Sequence, residues 1–195
     1  MRKLNLWIIT GLLFLVAAFC VVLYNMNRTV EMGENSQEVI DQLDIEPETI
    51  NHIFDPDKEL QTTLINGNKY IGTIEMPEIG IKLPVMYDYE LLYLEISPCR
   101  YSGTPYANDF IVCAHNSDTH FNKIRKLSMG SEIIFTDVEG NSFVYETNNI
   151  ETLYPKQVDQ LMEGDDWDLT LFTCNGFGES RCVVRANIKK INKAE

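Results

Sequence analysis

The sequence predicts a mainly β domain, a closed barrel or sandwich with few short helices, preceded by one membrane-spanning helix. Three observations carry that prediction. An uncharged apolar run fills Leu6 to Tyr24. An acidic stretch follows, from Asn25 to Leu60. From Gln61 onward, short runs rich in Ile, Val, Phe, Tyr and Thr alternate with Gly, Pro, Asn and Asp.

At about 1.5 Å rise per residue, the 19 positions from Leu6 to Tyr24 nearly span a hydrocarbon core of roughly 30 Å. Arg2 and Lys3 precede the run, and Trp7 and Tyr24 stand near its ends, which predicts a cytoplasmic N-terminus and an extracellular domain. A cleaved signal peptide is the competing reading, but the run is longer than a usual signal core and no clear A-x-A site ends it. Phe19 before Cys20 argues against a lipoprotein cysteine.

The segment 25–60 carries ten acidic residues against Arg28 and Lys58, which reads as a solvated spacer. Ser36 is a candidate cap for a short helix through Leu43. Asp55-Pro56-Asp57 reads as a turn. The expected division is a tip and anchor at 1–24, a spacer at 25–60 and one compact domain at 61–195. Overall, 29 acidic residues outweigh 16 basic ones, for a formal charge of -13. That balance counts against nucleic-acid binding.

The predicted strands are Tyr70–Met76, Ile79–Met86, Asp109–Ala114, Glu132–Thr136, Ser142–Thr147, Leu169–Cys174 and Arg181–Ile191, with Ile150–Tyr154 as a short addition. Helical pieces are predicted at Tyr89–Ile96, His120–Leu127 and Lys156–Met162. Many short strands in so little chain favour a barrel or sandwich.

The chemistry concentrates on the last hairpin. If its strands pair across Asn175–Ser180, Cys174 and Arg181 lie opposite each other and project from one face, with Cβ atoms about 4.5–5.5 Å apart. The same register sends Leu169, Leu171, Thr173, Cys182 and Val184 to the other face, so Cys174 and Cys182 do not bond each other, and it sets Arg185 opposite Thr170. A guanidinium beside a thiol favours the nucleophilic thiolate; a small buried thiol beside an ordinary strand-end charge is the plainer alternative. His115 ends an apolar strand at a polar loop, where an imidazole can move protons near neutral pH. Cys113 shares its face, while Cys99 falls in a loop. His120 follows at H-x4-H spacing, but no acidic or histidine cluster completes a metal site, and no C-x-x-C pair occurs. No cofactor is implied, and His52 carries no visible role.

Thr170-Leu-Phe-Thr-Cys174, followed by Arg181-Cys-Val-Val-Arg185, resembles the T-L-x-T-C…R signature of sortases, membrane-anchored cysteine transpeptidases of Gram-positive cell surfaces. Tyr70 to Val85, Asn108 to His115, Phe121 to Leu127 and Gly130 to Phe135 resemble further parts of that family in the same order, over about residues 68–191. The resemblance implies an eight-stranded sortase-type barrel. It implies Cys174 as nucleophile, His115 as general acid/base and Arg181 as the group that steadies the oxyanion or positions substrate. The implied reaction cleaves an LPxTG-like sorting signal between Thr and the next residue, through a thioacyl intermediate. The product is then joined to an amine of cell-wall precursor or of a pilin.

Ala114 departs from the family's usual Gly, where its methyl is expected to narrow the groove, and Ala107, Asp109 and Cys182 are also unusual. The turn at Asp55-Pro56-Asp57 resembles the lid segment of pilus-building sortases but lacks its aromatic residue. Papain-like proteases place Cys before His, and L,D-transpeptidases carry S-H-G-C, so neither fits; a non-catalytic surface binding module is the alternative of a different class. The short stretch from Asn148 to Trp167 and the absence of a second apolar span lean the subclass to class D or an unclassified small sortase.

Overall fold

The computed structural model describes residues 6–47, 49–50, 54–162, 166–176 and 178–189; His52 lies outside them. Helix α1 spans Leu6–Leu43. Its first half is apolar and exposed all round, from Trp7 to Tyr24, as suits a candidate membrane span. Its second half is different. Met32, Ser36 and Val39 are buried at helical spacing, and α1 packs on β4 (Ile81–Met86) and β2 (Thr63–Ile65). Residues 25–43 are thus a docked helix rather than a solvated chain. Ser36 is no cap: it lies mid-helix and its hydroxyl donates to the Met32 carbonyl at 3.0 Å. Acidic residues on the outer face hide this narrow apolar stripe from a reading of charge alone. Asp44, at φ 44°, ends the helix, its N–H donating to the Ile40 carbonyl at 3.2 Å.

The remaining strands are β1 (Thr49–Ile50), β3 (Asn68–Met76), β5 (Cys99–Ser102), β6 (Phe110–Cys113), β7 (Glu132–Asp137), β8 (Asn141–Leu153), β9 (Leu169–Asn175) and β10 (Ser180–Ile188). The order β8-β10-β9-β6-β5-β4-β3, with β7 joining β3 to β8, closes an eight-stranded barrel. β1 and β2 are additions on β8 and β3. Closure removes exposed sheet edges.

Three details differ from expectation. Cys99 begins β5 rather than lying in a loop. Ser142–Thr147 and Ile150–Tyr154 form one strand, β8, whose pairing with β10 shifts register between Arg185 and Ala186. The helical pieces are short 3-10 turns at Tyr93–Glu95, Phe121–Lys126 and Pro155–Leu161.

Alternation along the strands builds two cores. Phe110, Val112, Leu169, Leu171, Cys182 and Val184 point into the barrel and pack with Phe135, Phe143 and Tyr145. Ile111, Cys113, Phe172 and Val183 point outward and pack with Val39 of α1, Leu153 and Leu161. The outward face of β6, β9 and β10 is therefore the one covered by added elements.

Candidate active site

Cys174 lies on this outward face near the end of β9, and its side chain is exposed. Arg181 of β10 is its direct partner, so the register is the expected one. Cys182 pairs with Thr173 and points into the barrel. Arg185 pairs with Thr170. The loop between the strands is held by Asn175, whose side-chain amide donates to Ser180 Oγ at 3.1 Å.

β6 runs parallel to β9 on the other side, in a register that ends at Cys113 beside Phe172. Two further bonds carry the contact past the strand. The Ala114 N–H donates to the Phe172 carbonyl at 3.2 Å, and Thr173 Oγ1 donates to the Ala114 carbonyl at 2.9 Å. Continuing that register by two residues sets His115 beside Cys174. His115 is exposed, and its carbonyl accepts the Phe121 N–H at 3.2 Å, which closes the loop. Cys174 thus has the histidine strand on one side and Arg181 on the other, each one strand spacing away, roughly 4.8 Å. The Ala114 methyl belongs to the barrel interior, so it does not narrow the outer groove.

The other thiols sit in different surroundings. Cys113 is buried beside Cys99, its direct partner across β5 and β6. Burial pushes the Cys99 thiol up to about 12 and raises Cys113 as well, so both resist ionisation. Burial also raises Cys182, against the opposing pull of Arg125. His120 is fully buried, and its ring nitrogens make no well-formed hydrogen bond, the Leu94 backbone being the one polar group that acts on the ring. Burial, helped by the nearby His115, holds it down to about 4, so it is neutral at physiological pH.

Arg185 is buried and fully engaged. It donates to Glu151 Oε1 at 3.0 Å, to Thr170 Oγ1 at 2.9 Å, and to the carbonyls of Gln160 and Leu161 at 2.6 and 3.2 Å. Those bonds clamp the Pro155–Leu161 turn onto the outer face, which is a structural task.

Sequence reasoning missed an aromatic ladder. Phe172, Tyr101 and Tyr89 meet edge to face, with centroids 5.2 and 5.0 Å apart. Burial raises the Tyr89 phenol, Cys113, Tyr101 and Cys174 add to the rise, and Arg181 opposes it. Phe172 was legible, because it alternates in phase with Cys174. Tyr101 was not, because β5 is only four residues long between Pro98 and Gly103. The Asp55 turn forms, with the Lys58 N–H donating to the Asp55 carbonyl, but Asp55 bonds Tyr106, near the end of β6 opposite His115. It is no lid over the thiol.

Barrel closure and strand order define a sortase-like β-barrel. The Sortase domain family model matches residues 74–189, more than half of the chain, and the chain belongs to the sortase family. A sortase D5 transpeptidase of Clostridium perfringens is similar in structure, with TM-score 0.59 and 25% identity over 80% of this chain and 97% of that one. Sortase C from Clostridium perfringens SM101 aligns with TM-score 0.55 and 24% identity over 85% and 91% of the two chains. Sortase A from Corynebacterium diphtheriae aligns with TM-score 0.57 and 19% identity over 86% of each. No match was found among curated protein sequences.

Proposed function

We propose that this sortase cleaves an LPxTG-like C-terminal sorting signal with Cys174 and transfers the acyl fragment to an amine of cell-wall precursor or of a pilin. The observation that carries the reading is the flanking of an exposed thiol by Arg181 on one strand and the histidine-bearing strand end on the other. The Cys174 thiolate attacks the Thr carbonyl. Arg181 donates to the developing oxyanion, and His115 protonates the departing amine. An incoming amine then releases the thioacyl group. One hard amide exchange becomes two easier steps, and a donor fixed on a strand is preorganised for the transition state.

The chain is proposed to act at the outer face of the cell membrane as a single-pass protein. Residues 6–24 lie in the bilayer, residues 25–60 form the stem and residues 61–195 the catalytic domain. No nucleic-acid partner is proposed, and among the described residues no group of three or more His, Cys, Asp or Glu is placed to hold a metal ion. Incubation with an LPxTG peptide followed by intact-mass spectrometry tests the reading. The expected product is a covalent adduct on Cys174 that hydroxylamine releases; a wild-type protein that forms no adduct with any sorting pentapeptide overturns it.

A further inference from the structure

The second half of α1 reaches the histidine loop. Met32 is buried, and a Cβ at Gly33 would stand 3.3 Å from Thr119 Cγ2, so helix and loop pack closely. Between them opens a cavity of about 320 Å³, walled by Asn25 and Met32 of α1 and by His115, Asn116, Asp118 and Asn122. Among the described residues its walls include neither Cys174 nor Arg181. His115 is therefore common to the cavity and to the neighbourhood of the thiol.

The cavity walls are mostly polar and carry one carboxylate. Asp118 accepts from the Asn122 side-chain amide, and Asn116 Oδ1 accepts from Arg125 Nη2 at 3.0 Å, which steadies the loop. Arg125 belongs to the walls of a separate cavity, the one at Cys182. Asn25 directly follows the apolar run. At about 1.5 Å per residue, Met32 stands only some 12 Å beyond Tyr24 along the helix. A headgroup layer adds roughly 5–7 Å to each side of the hydrocarbon. With residues 6–24 in the bilayer, the cavity begins at headgroup depth.

We propose that this cavity is the acceptor site, and that it takes a primary amine displayed close to the bilayer surface, with Asp118 as the counter-ion. The proposal rests on the acyl-transfer reading above. The acceptor arrives as an ammonium ion and gives one proton to water. Its nitrogen attacks the thioacyl carbonyl, the N–C bond forms and the C–S bond breaks. The electron pair returns to Sγ of Cys174, and the second amine proton passes to His115. The stem of the anchor is thus part of the second substrate's site.

The test uses full-length protein in phospholipid nanodiscs, a fluorogenic sorting peptide as donor and Nα-acetyl-lysine amide as acceptor, either free or tethered to a phospholipid. Asp118→Lys is expected to raise the acceptor KM at least about tenfold and to lower the ratio of transpeptidation to hydrolysis, through like-charge repulsion. Asp118→Glu is expected to restore most of the ratio. An acceptor KM unchanged in Asp118→Lys overturns the site. The tethered acceptor is expected to compete with hydrolysis at a lower bulk concentration than the free one; equal competition overturns the placement at the bilayer. A second measurement separates this proposal from the reaction it rests on. Titration of wild-type protein with the free acceptor, without donor peptide, is followed through the NMR signals of the His115 ring. A shift that Asp118→Lys abolishes supports the site even if no peptide is cleaved, and the absence of any shift overturns it.

Discussion

The two ends of β6 solve opposite problems. At its start, Asp137 accepts the Tyr106 hydroxyl at 2.5 Å, the Glu139 and Asn141 N–H groups at 2.9 Å each, and the Asn141 side-chain amide. Lys58 stands 4.3 Å over the Tyr106 ring and pairs with Glu139 at 2.9 Å. That end is a satisfied polar knot around a buried carboxylate. Past its other end, His115 and Cys174 are exposed, and Arg181 is only half-buried. The contrast separates stability from chemistry. The knot fixes the barrel, and the open end leaves the proposed catalytic groups accessible at strand termini held by backbone bonds.

The largest expected effects fall at the open end and leave the fold alone. Cys174→Ala removes the proposed nucleophile, so no covalent adduct is expected with a sorting peptide. His115→Ala is expected to stop turnover, because under the proposed mechanism the leaving amine then lacks its proton donor. Both variants are expected to melt with the wild type, since both side chains are exposed. A shared loss of thermal stability would move His115 and Cys174 to the structural side of the contrast.

Arg181 and Arg185 sharpen it further, because they lie four residues apart on one face of one strand. Arg181→Ala is expected to slow turnover about a hundred- to thousandfold, the usual cost of roughly 2.7–4 kcal/mol for one lost oxyanion donor. Arg181→Lys stays severely impaired, because an ammonium lacks the planar fork. Arg185→Ala strips partners from Glu151, Thr170 and two carbonyls, and is expected to lower unfolding stability by about 3–5 kcal/mol. Kinetics and denaturant melts on the pair decide the matter. A catalytic defect in a normally stable Arg185→Ala would reverse the two roles.

At the closed end, Asp137→Ala leaves the Tyr106 O–H and several N–H donors without their acceptor. It is expected to cost about 3 kcal/mol or more in stability. Turnover per folded molecule, measured well below the melting transition, stays near that of the wild type.

What was legible in the sequence follows the same division. Strict alternation of inward Leu169 and Leu171 with outward Thr170 and Phe172 makes β9 readable, and its pairing with β10 follows from the loop length. β5 escaped because four residues between Pro98 and Gly103 show no alternation long enough to count. The length of β8 escaped because Asn148-Asn149 looks like a turn, whereas a register shift carries the strand through. The docking of α1 escaped because Met32, Ser36 and Val39 form a stripe only three residues wide among acidic neighbours. For the site, the hairpin placed Cys174 opposite Arg181 from sequence alone. The neighbourhood of His115 needed the parallel β6–β9 contact, which spans more than fifty residues of chain.

His120 supplies the smallest and most selective test, because it is a closed-end type of group, buried and inert, set five residues after His115. Its ring is fully buried, and its pKa is held down to about 4, first by burial and then by His115, against the opposing pull of the Leu94 backbone. In the unfolded chain a histidine titrates near 6.5. Between those two values the unfolded state binds the extra proton and the folded state does not. Stability therefore falls as pH drops below about 6.5, and this contribution levels off below about 4. From about pH 7 to about pH 5.5 the loss amounts to roughly 1 kcal/mol, a range in which few carboxylates titrate. His120→Leu removes the titrating ring at similar volume. Urea melts at the two pH values are expected to show that this variant loses less stability on acidification than the wild type. Equal losses in the two proteins would mean that the folded barrel accepts the proton on His120, and that the interior beside the site is wetter than its burial implies.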